Sequence, residues 1–524
     1  MSAIVRVEGL RIAIGAASVV DGVSFEIAPG ECLAIVGESG AGKSLTARSL
    51  LGMLPDAAEV TADRLEVDGE DAGGWRERDW RRRRGSTVGL VSQDALAALD
   101  PLRRVGAEVA EAIVVHRTVT GREAVRDRVV ELLDRVAVPE PALRARQRPH
   151  ELSGGLRQRA LIASAISASP TVLVADEPTT ALDATVQRRV LELLAQLKAD
   201  GLAILLVSHD LGAVAGLADR VAVMRDGRFV ETGTTAQVLG APTHPFTRAL
   251  LAARPVPGSP RAIDEAPPAL EAIGLRRVYP SGTRARGDRV AVADASLRVA
   301  PGRTLGIVGE SGSGKSTLVR MLLAIERPDS GEVLLDGLPW SALSERSRRS
   351  RRGRIQLVDQ DAFGALNPRW RVSRILDEAL QAHGVPRARR APAARELLEG
   401  VGLDAGHLAR RPGELSGGQR QRVAIARALA SDPVVLVCDE PVSALDATVQ
   451  AQVLDLLAST QRRLGVAIVL VSHDLSVIAS MADEVLVMRD GVIVERGATD
   501  AVLQRPTHPF TRDLVAGLAE PKLF

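Results

Sequence analysis

Two segments of this chain share a glycine-rich pattern that ends in lysine and serine. The pattern runs from Gly37 to Ser44 and recurs from Gly309 to Ser316. Lysine is otherwise rare, because only four lysines stand against 63 arginines, and two of the four close these segments. A compact ammonium fits a nest of backbone N–H groups around phosphate better than a planar guanidinium does. The chain is therefore predicted to bind nucleotide phosphates at two places.

Acidic pairs follow two other apolar runs, as Asp176–Glu177 and Asp439–Glu440. Each aspartate suits coordination of Mg²⁺, directly or through water, and each glutamate is placed to polarise an attacking water. A surface Asp-Glu pair by itself is usually only solvated charge. The position of these pairs after a buried strand, in a chain with phosphate loops, favours catalysis.

Two histidines and two glutamines recur at matching positions. His209 and His473 follow apolar runs, 33 and 34 residues after the two aspartates. A lone histidine is more often a hydrogen-bonded polar group than a catalyst, but this recurrence favours a contact with a γ-phosphate. Gln93 and Gln360 are predicted to orient water or Mg²⁺ through a neutral amide, and only their paired placement supports that role.

The chain repeats itself in order. Ser153 and Ser416 are 263 residues apart, as are the two aspartates, whereas the lysines of the two loops are 272 apart. A duplication of roughly 260 residues, with about nine extra residues in the first copy, explains these spacings. A proline-rich stretch, typical of a short and stiff linker, joins the copies. We predict one domain over 1–257, the linker over 258–269 and a second domain over 270–524.

Apolar runs that alternate with helical segments must position these residues. They cover 32–36, 172–175 and 202–207 in the first copy, and 304–308, 434–438 and 466–471 in the second. This alternation predicts a mostly parallel sheet covered by helices, with the catalytic groups at the carboxyl ends of the strands. Between Gln93 and Ser153 the pattern becomes helical and arginine-rich, which predicts an inserted helical subdomain.

Bulk composition narrows the class of protein. At 524 residues the chain is too long for one core, and its 46% hydrophobic residues can fill several. A net charge of +2 gives no overall field that favours nucleic acid. Cys32 and Cys438 have no partner at metal-ligand spacing, so a reducing cytoplasm is expected. Neither a signal peptide nor an apolar run near the ~20 residues of a membrane span is found, so the chain is expected to be soluble by itself.

A second motif suited to phosphate, Leu-Ser-Gly-Gly, begins predicted helices at 152–155 and 415–418. Its hydroxyl, backbone amides and helix dipole suit an anion. Because each half already has a phosphate loop, this motif makes sense if it caps the nucleotide of the other half. The arrangement resembles the ABC-type ATPases, whose Ala-Leu-Asp loop is also present at 181–183 and 444–446. The resemblance covers nearly the whole chain.

The resemblance implies a fold of α/β class with two tandem ABC-type P-loop ATPase domains. Each would have a mostly parallel sheet core, an antiparallel β subdomain and a helical subdomain. It also implies two sites for ATP and Mg²⁺ across a head-to-tail interface, the first closed by residues 416–418 and the second by 153–155.

The resemblance assigns roles to individual residues. The implied catalytic residues are Glu177, His209, Gln93, Glu440, His473 and Gln360. The implied metal ligands are Ser44, Gln93, Asp176, Ser316, Gln360 and Asp439. The implied nucleotide-binding residues are Gly37, Glu38, Ser39, Gly40, Ala41, Gly42, Lys43, Ser44, Leu45, Ser153, Gly154, Gly155, Tyr279, Gly309, Glu310, Ser311, Gly312, Ser313, Gly314, Lys315, Ser316, Thr317, Ser416, Gly417, Gly418 and Gln419.

Two positions depart from the family pattern. Leu156 stands where the family has the glutamine that Gln419 supplies in the second copy, so the loop that would close site two loses an amide. An aromatic residue usually stacks on adenine before the phosphate loop; Tyr279 takes that place in the second copy and Ile14 in the first. Stacking is worth about 1 kcal/mol, so site one is expected to bind ATP more weakly. Both sites are predicted to hydrolyse ATP.

Three further segments narrow the resemblance. The stretches 93–101 and 360–368 look like the Gln loop of peptide and nickel importers, and both phosphate loops carry that subfamily's Gly-Glu-Ser-Gly variant. The tails at 242–251 and 506–515 are similar to the subfamily's C-terminal motif. A helix start is the structural explanation of Thr-His-Pro in these tails. Because neither tail has cysteine, no iron–sulfur cluster is expected.

The resemblance then implies the fused tandem ATPase of an oligopeptide, dipeptide or nickel importer. The implied partners are two integral-membrane permeases, docked near the Gln loops, and an extracytoplasmic solute-binding protein. No nucleic acid is implied. The chain would be peripheral, at the cytoplasmic face of the cell membrane.

Other interpretations stay open at this point. A fused ATPase of a sugar importer is the nearest alternative, and the duplicated tail weighs against it. A ribosome-associated ABC ATPase usually has a long charged linker, and DNA-repair members insert zinc-binding cysteines. The arginine runs 81–84 and 348–354 are expected to be solvated, with acidic lipid headgroups as the alternative.

Overall fold

The computed structural model describes residues 3–93, 98–179, 182, 184–252 (backbone only at 184 and 185), 267–280, 288–310, 312–362, 364–443 and 445–516. Two compact units emerge, one formed mainly by residues up to Ala252 and the other mainly by residues from Pro267. Most of the predicted linker, 258–266, lies outside the described residues. The domain bounds given above therefore stay a prediction.

The first unit alternates strands and helices. Its strands are β1 (Val5–Ile14), β2 (Ala17–Ile27), β3 (Cys32–Gly37), β4 (Ala58–Thr61), β5 (Arg64–Val67), β6 (Glu70–Asp71), β7 (Val88–Val91), β8 (Val172–Asp176), β9 (Ala203–Val207), β10 (Arg220–Arg225) and β11 (Arg228–Thr234). Its helices are α1 (Lys43–Ser49), α2 (Glu77–Arg83), α3 (Val105–His116), α4 (Arg122–Arg135), α5 (Pro141–Arg144), α6 (Gly154–Ala165), α7 (Ala184–Ala199), α8 (Leu211–Leu217), α9 (Thr235–Gly240) and α10 (Pro245–Ala252), with a 3-10 turn at Pro149–Glu151.

The second unit repeats this order. Its strands are β12 (Leu270–Tyr279), β13 (Arg289–Val299), β14 (Thr304–Gly309), β15 (Ser330–Leu335), β16 (Leu338–Pro339), β17 (Ile355–Val358), β18 (Val435–Asp439), β19 (Ala467–Val471), β20 (Glu484–Arg489) and β21 (Val492–Ala498). Its helices are α11 (Lys315–Leu322), α12 (Glu345–Arg348), α13 (Val372–Ala382), α14 (Arg387–Gly400), α15 (Gly417–Leu429), α16 (Ala447–Leu464), α17 (Leu475–Met481), α18 (Thr499–Gln504) and α19 (Pro509–Ala516), with 3-10 turns at Arg349–Arg354, Ala405–Ala409 and Pro412–Glu414.

A mostly parallel sheet forms the centre of each unit. In the first unit the strand order is β11-β10-β3-β9-β8-β7, and only β11 is antiparallel to its neighbour. In the second, β21-β20-β14-β19-β18-β17 has the same order. A separate antiparallel sheet around β1 and β2 completes the first unit, and its counterpart around β12 and β13 joins the central sheet through one residue pair. The predicted α/β fold is confirmed.

The central strands are buried on both faces, which explains their continuous apolar sequences. In β3, Cys32, Ala34 and Val36 pack into the core on one face, whereas Leu33 and Ile35 pack into the core on the other. Side chains alternate along a strand, so a run of five apolar residues supplies both cores. Packing on both faces therefore holds β3, and with it the start of the phosphate loop, in place.

The predicted helical subdomain is present in both units, as α3 to α6 and as α13 to α15. The tail motifs begin short helices at Pro245 and Pro509, which confirms the helix-start explanation. None of the helices that the structure describes combines the length and the apolar composition that a membrane crossing requires.

Several residues of the arginine runs bind the protein's own backbone. Arg84 donates Nε to the Leu51 carbonyl at 2.7 Å. In the second unit, Arg351 donates to the Leu335 carbonyl at 2.7 Å and Arg352 to the Leu323 carbonyl at 2.8 Å. The expectation that the runs are simply solvated is therefore wrong for these arginines, because their guanidinium groups satisfy carbonyls at the ends of neighbouring elements.

Candidate functional site

The strand order of each central sheet brings the predicted residues to one edge. The phosphate loop follows β3, and the adjacent strands β9, β8 and β7 lead into His209, Glu177 and Gln93. Because these strands are parallel, their carboxyl ends lie together. The second unit places His473, Glu440 and Gln360 in the same way after β19, β18 and β17.

The phosphate-loop lysines are buried and held by their own loops. Lys43 donates Nζ to the carbonyls of Gly37 and Glu38, both at 2.8 Å. Lys315 donates to the corresponding carbonyls of Gly309 and Glu310 at 2.6 and 2.9 Å. Each ammonium is thus held inside its own loop by two backbone carbonyls.

Glycine is required at the residue before each lysine. Gly42 and Gly314 have φ of 101° and 103°, in the left-handed region. A Cβ at Gly314 would lie 2.2 Å from the carbonyl oxygen of Ala291, and one at Gly42 would lie 2.9 Å from that of Val19. Both the backbone conformation and the contact with the neighbouring strand segment therefore exclude a side chain.

Asp176 forms the centre of the proposed metal position in the first unit. Its side chain is 1% exposed, accepts the Ser44 hydroxyl at 2.9 Å and pairs with Arg48 at 3.2 Å. A hydroxyl and a carboxylate that converge in this way are hard oxygen donors of the kind that Mg²⁺ prefers. The residues present fit the metal that the family implies.

The corresponding carboxylate of the second unit lies in a different electrostatic environment. Burial raises the pKa of Asp439 to about 6, and the charges of Glu440 and Asp359 act in the same direction against Lys315 and Arg320. A nearby cation opposes this rise, because it favours the ionised form.

The glutamates predicted to be catalytic lie in strained backbone immediately after the aspartates. Glu177 and Glu440 have φ of 53° and 49°, which is uncommon for residues other than glycine. The N–H of Glu177 donates to Val207 at 2.8 Å and that of Glu440 to Val471 at 2.9 Å, so the ladder to the next strand holds the turn in place. Strain maintained by surrounding structure is typical of functional positions.

Each glutamate carboxylate is held between a glutamine and a histidine. Gln93 donates Nε2 to Glu177 at 2.9 Å, and His209 Nδ1 lies 3.3 Å from the same carboxylate. In the second unit the Gln360 bond is 3.0 Å and the His473 distance is 3.1 Å to Glu440. The predicted grouping of these side chains in each unit agrees with this geometry.

Electrostatics couple each histidine to its glutamate. Burial lowers the pKa of His209 and His473, but the hydrogen bond and the charge of the glutamate outweigh it and raise the pKa above its ordinary value. Burial also raises the pKa of Glu440, yet the His473 bond and charge lower it overall. The protonated histidine and ionised glutamate therefore stabilise each other.

The neighbours of each histidine shape its turn. Asp210 donates its N–H to the Ser208 hydroxyl at 3.0 Å, and its carboxylate accepts the N–H of Gly212 at 2.8 Å at the start of α8. Asp474 makes the same contacts with Ser472 and Ser476. The aspartate of Ser-His-Asp therefore caps a helix and the serine holds the aspartate's N–H, so the two residues fix the turn that contains the histidine, a role that the sequence analysis missed.

We call the two Leu-Ser-Gly-Gly motifs the signatures, and their serines, Ser153 and Ser416, cap the start of the helices α6 and α15. Ser153 accepts the N–H of Leu156 at 3.4 Å, and Ser416 accepts that of Gln419 at 3.3 Å. Gln419 Oε1 also accepts the N–H of Ser416 at 3.0 Å, which completes a reciprocal cap. Leu156 has no oxygen to do so, and its departure from the family pattern thus removes a cap bond from its own helix.

Both signature helices need glycine for packing as well. A Cβ at Gly155 would lie 2.5 Å from the Val186 side chain, and one at Gly418 would lie 2.2 Å from that of Val449. The signature helix therefore lies directly against the helix that follows the Asp-Glu strand.

The residues proposed to meet adenine end equivalent strands. Ile14 ends β1 and Tyr279 ends β12. The Tyr279 hydroxyl donates to Glu326 Oε2 at 2.6 Å, and the Arg277 guanidinium lies 5.2 Å from its ring centroid. Its stacking on adenine stays a prediction.

Some predicted residues lie outside the part of the chain that the structure describes. They are Ser311 of the second phosphate loop, Ala181, Asp183 and Ala444 of the Ala-Leu-Asp loops, and residues 94–97 and Phe363 of the Gln loops. Gly37 and Gly309 end β3 and β14, and the remaining phosphate-loop residues lie between these strands and the helices α1 and α11 or in the first turn of those helices.

A glutamate in each tail region was missed. Glu231 of β11 accepts the N–H and hydroxyl of Thr243 at 2.7 and 2.8 Å and the N–H of His244 at 3.1 Å. Glu495 repeats this with Thr507 and His508 at 2.8, 2.8 and 3.0 Å. We call each such set a tail clamp. The common spacing of 12 residues from glutamate to threonine was the available signal.

Comparisons with known proteins agree with this geometry. The ABC transporter family model matches residues 20–180 and 292–443, and the model for the oligopeptide/dipeptide transporter C-terminal region matches 230–275. The chain is similar to the peptidoglycan transport ATP-binding protein YejF of Agrobacterium fabrum, with 42% identity over 96% of this chain and 93% of the relative.

Other relatives cover as much of the chain. It is 38% identical to the oligopeptide transport ATP-binding protein OppD of Mycobacterium tuberculosis, over 96% of this chain and 95% of the relative. It is 39% identical to the glutathione import ATP-binding protein GsiA of Escherichia coli K12, over 99% of this chain and 90% of the relative. With two matched cassettes and relatives along its whole length, the chain belongs to the ABC transporter family of ATPases.

Proposed function

We propose that this chain is the ATP-hydrolysing subunit of a membrane importer for peptides or a related small solute such as nickel. The observation that supports this most is the tail. Its matched C-terminal region is that of oligopeptide and dipeptide transporters, and relatives along the whole chain bear the names of oligopeptide, glutathione and peptidoglycan transport. Two permeases in the membrane and an extracytoplasmic solute-binding protein would complete the importer.

Within each unit the side chains divide the work of hydrolysis. Lys43 and the loop amides bind the phosphates, and Ser44 with Asp176 would hold Mg²⁺, which supplies positive charge to the phosphate oxygens when bound. Glu177 accepts the proton of the attacking water, with Gln93 holding its carboxylate in position.

The histidine has a separate role in this proposal. His209 lies beside Glu177 and, being protonated more readily than an isolated histidine, donates to the γ-phosphate. Its charge also keeps the glutamate ionised, as a base requires. His473 and Glu440 act in the same way in the second unit.

We propose further that each site is closed by the signature of the other unit. The argument is that each unit already holds a full set of phosphate-loop, Asp-Glu and histidine groups. Its exposed signature serine, Ser153 or Ser416, is then left for a second nucleotide. Site one would pair Lys43 with Ser416, and site two would pair Lys315 with Ser153.

Paired variants test this closure. Lys43→Ala abolishes site one, so the ATPase activity that remains belongs to site two. Adding Ser153→Ala should then remove most of that activity, whereas adding Ser416→Ala should leave it unchanged. The reverse pattern would show that each signature serves its own unit.

Transport itself requires reconstitution. The chain is co-expressed with candidate permeases and placed in proteoliposomes with a candidate solute-binding protein. Uptake of labelled di- to pentapeptides, or of Ni²⁺, should depend on ATP and should disappear with Glu177→Gln plus Glu440→Gln. Co-purification with ribosomes or with DNA in place of permeases would contradict the importer assignment.

A further inference from the structure

The second unit has an extra carboxylate at the metal edge of its sheet. β17 and β18 are parallel, with Val358 opposite Cys438, so Asp359 and Asp439 are the next residues of adjacent strands. Such strands are about 4.8 Å apart. At that spacing the two carboxylates lie within electrostatic range of each other.

In the first unit the equivalent position is held by an uncharged residue. There β7 and β8 are parallel with Val91 opposite Ala175, so the neutral Ser92 takes the place beside Asp176. Asp176 is instead bound to Ser44 and Arg48. The two proposed metal positions therefore share their ligand types and differ in net negative charge.

One cation near Asp359, Arg427, offsets part of the extra negative charge of the second unit. Arg427 interacts electrostatically with Asp359 and Glu378. Its guanidinium, however, donates to the Ala365 carbonyl, and its side chain is partly buried in α15, whereas Asp359 is exposed. Arg427 therefore attracts Asp359, but it does not replace Asp359 as the neighbour of Asp439.

We propose that Asp359 strengthens Mg²⁺ binding at the second ATP site, and that the first site lacks this contribution because it has Ser92. The inference rests on the proposed role of Asp439 as a metal ligand. A unit negative charge at roughly 6 Å from a divalent cation, in a water-like dielectric, changes its affinity about tenfold. Mg²⁺ and nucleotide would thus be retained more strongly by the second site.

The test measures the metal's contribution without turnover. The full chain carries Lys43→Ala, so that only site two binds a mant-labelled, non-hydrolysable ATP analogue. Its Kd is measured by fluorescence in Mg²⁺ and in EDTA, and the ratio of the two values gives the coupling between metal and nucleotide. Asp359→Ser should lower this ratio about tenfold.

A reciprocal variant provides the matched control. In a chain with Lys315→Ala, only site one binds, and Ser92→Asp should raise the same ratio by a similar factor. This variant also decides the question if Asp359→Ser disturbs folding. Asp439→Asn in the Lys43→Ala chain tests, by the same ratio, whether Asp439 is a metal ligand.

The outcomes separate the two proposals. If Asp439→Asn lowers the ratio while Asp359→Ser and Ser92→Asp leave it unchanged, the role of Asp359 is wrong and the metal assignment stands. If Asp439→Asn also has no effect, the assignment of the ligand fails, and the inference about Asp359 fails with it.

Discussion

From the tail clamp we predict that removing the negative charge of Glu231 loosens the helix α10. In Glu231→Gln the side chain keeps its size, but the charge that accepts the N–H of Thr243, its hydroxyl and the N–H of His244 is lost. Hydrogen bonds to a charged group contribute about 1.5–3 kcal/mol each when well shielded. The Glu231 carboxylate is partly exposed, so we discount the three bonds together to about 2 kcal/mol.

The pKa of Glu231 agrees with this sign. Burial raises it, but Thr247, Thr243 and His244 outweigh burial and lower it to about 2 from 4.5. The Thr247 hydroxyl lowers the pKa of Glu231 but forms no hydrogen bond of good geometry with it, so the predicted loss of stability is based on the donors of Thr243 and His244. Because the folded pKa is depressed, the stabilisation is complete above pH 4.5 and is lost as pH falls toward 2.

Amide hydrogen exchange followed by mass spectrometry measures the effect locally. At neutral pH, Glu231→Gln should increase exchange over residues 243–252 about 30-fold, which corresponds to 2 kcal/mol of opening free energy. The matched variant Glu495→Gln should do the same over residues 507–516 and leave 243–252 unchanged. If protection of 243–252 changes less than about threefold in Glu231→Gln, the clamp does not hold the helix and the reasoning is refuted.

Three further predictions concern the nucleotide sites. Arg48→Met removes the guanidinium that pairs with Asp176, so the ligand-free protein should unfold at a lower temperature in a thermal scan. Mg²⁺ with ATP should restore more of the lost stability than ATP with EDTA does. Equal rescue by the two would contradict the prediction. The pKa of His473 measured by NMR should lie above 6.5, and Glu440→Gln should lower it. Because the folded pKa is raised, the stabilisation of the fold by the His473–Glu440 pair is present below pH 6.5 and is lost as pH rises through the folded pKa. Gly314→Ala should abolish mant-nucleotide binding at the second site, since the added Cβ would meet a backbone carbonyl of β13 at 2.2 Å, and wild-type affinity would disprove this requirement.

Sequence spacing was sufficient for the parts of the site that depend on single strands. Asp176 follows four apolar residues in its strand, and His209 comes shortly after a strand of five, so both could be placed at the carboxyl edge of a parallel sheet. The duplication then supported each assignment a second time. The helical tail start at Pro245 was also predictable, because proline fixes the backbone of a first helical turn.

Contacts between distant segments were not predictable in this way. The pairing of Glu231 with Thr243, the use of Arg351 to bind a carbonyl and the bond between Arg48 and Asp176 all depend on where a turn or a neighbouring element places a side chain. Arginine has the same sequence pattern whether it is solvated or bound to a carbonyl.

What the sequence determined by itself was the chemistry: two phosphate loops, two acid pairs and two histidines, in an order that strand ends can bring together. Only the tertiary structure revealed which residue lies beside each proposed metal ligand. Ser92 and Asp359 are unremarkable in sequence, and they gain meaning from the register that puts each beside a proposed metal ligand. The physical reason is that Coulomb interactions depend on distance in space, which strand pairing sets and chain position does not.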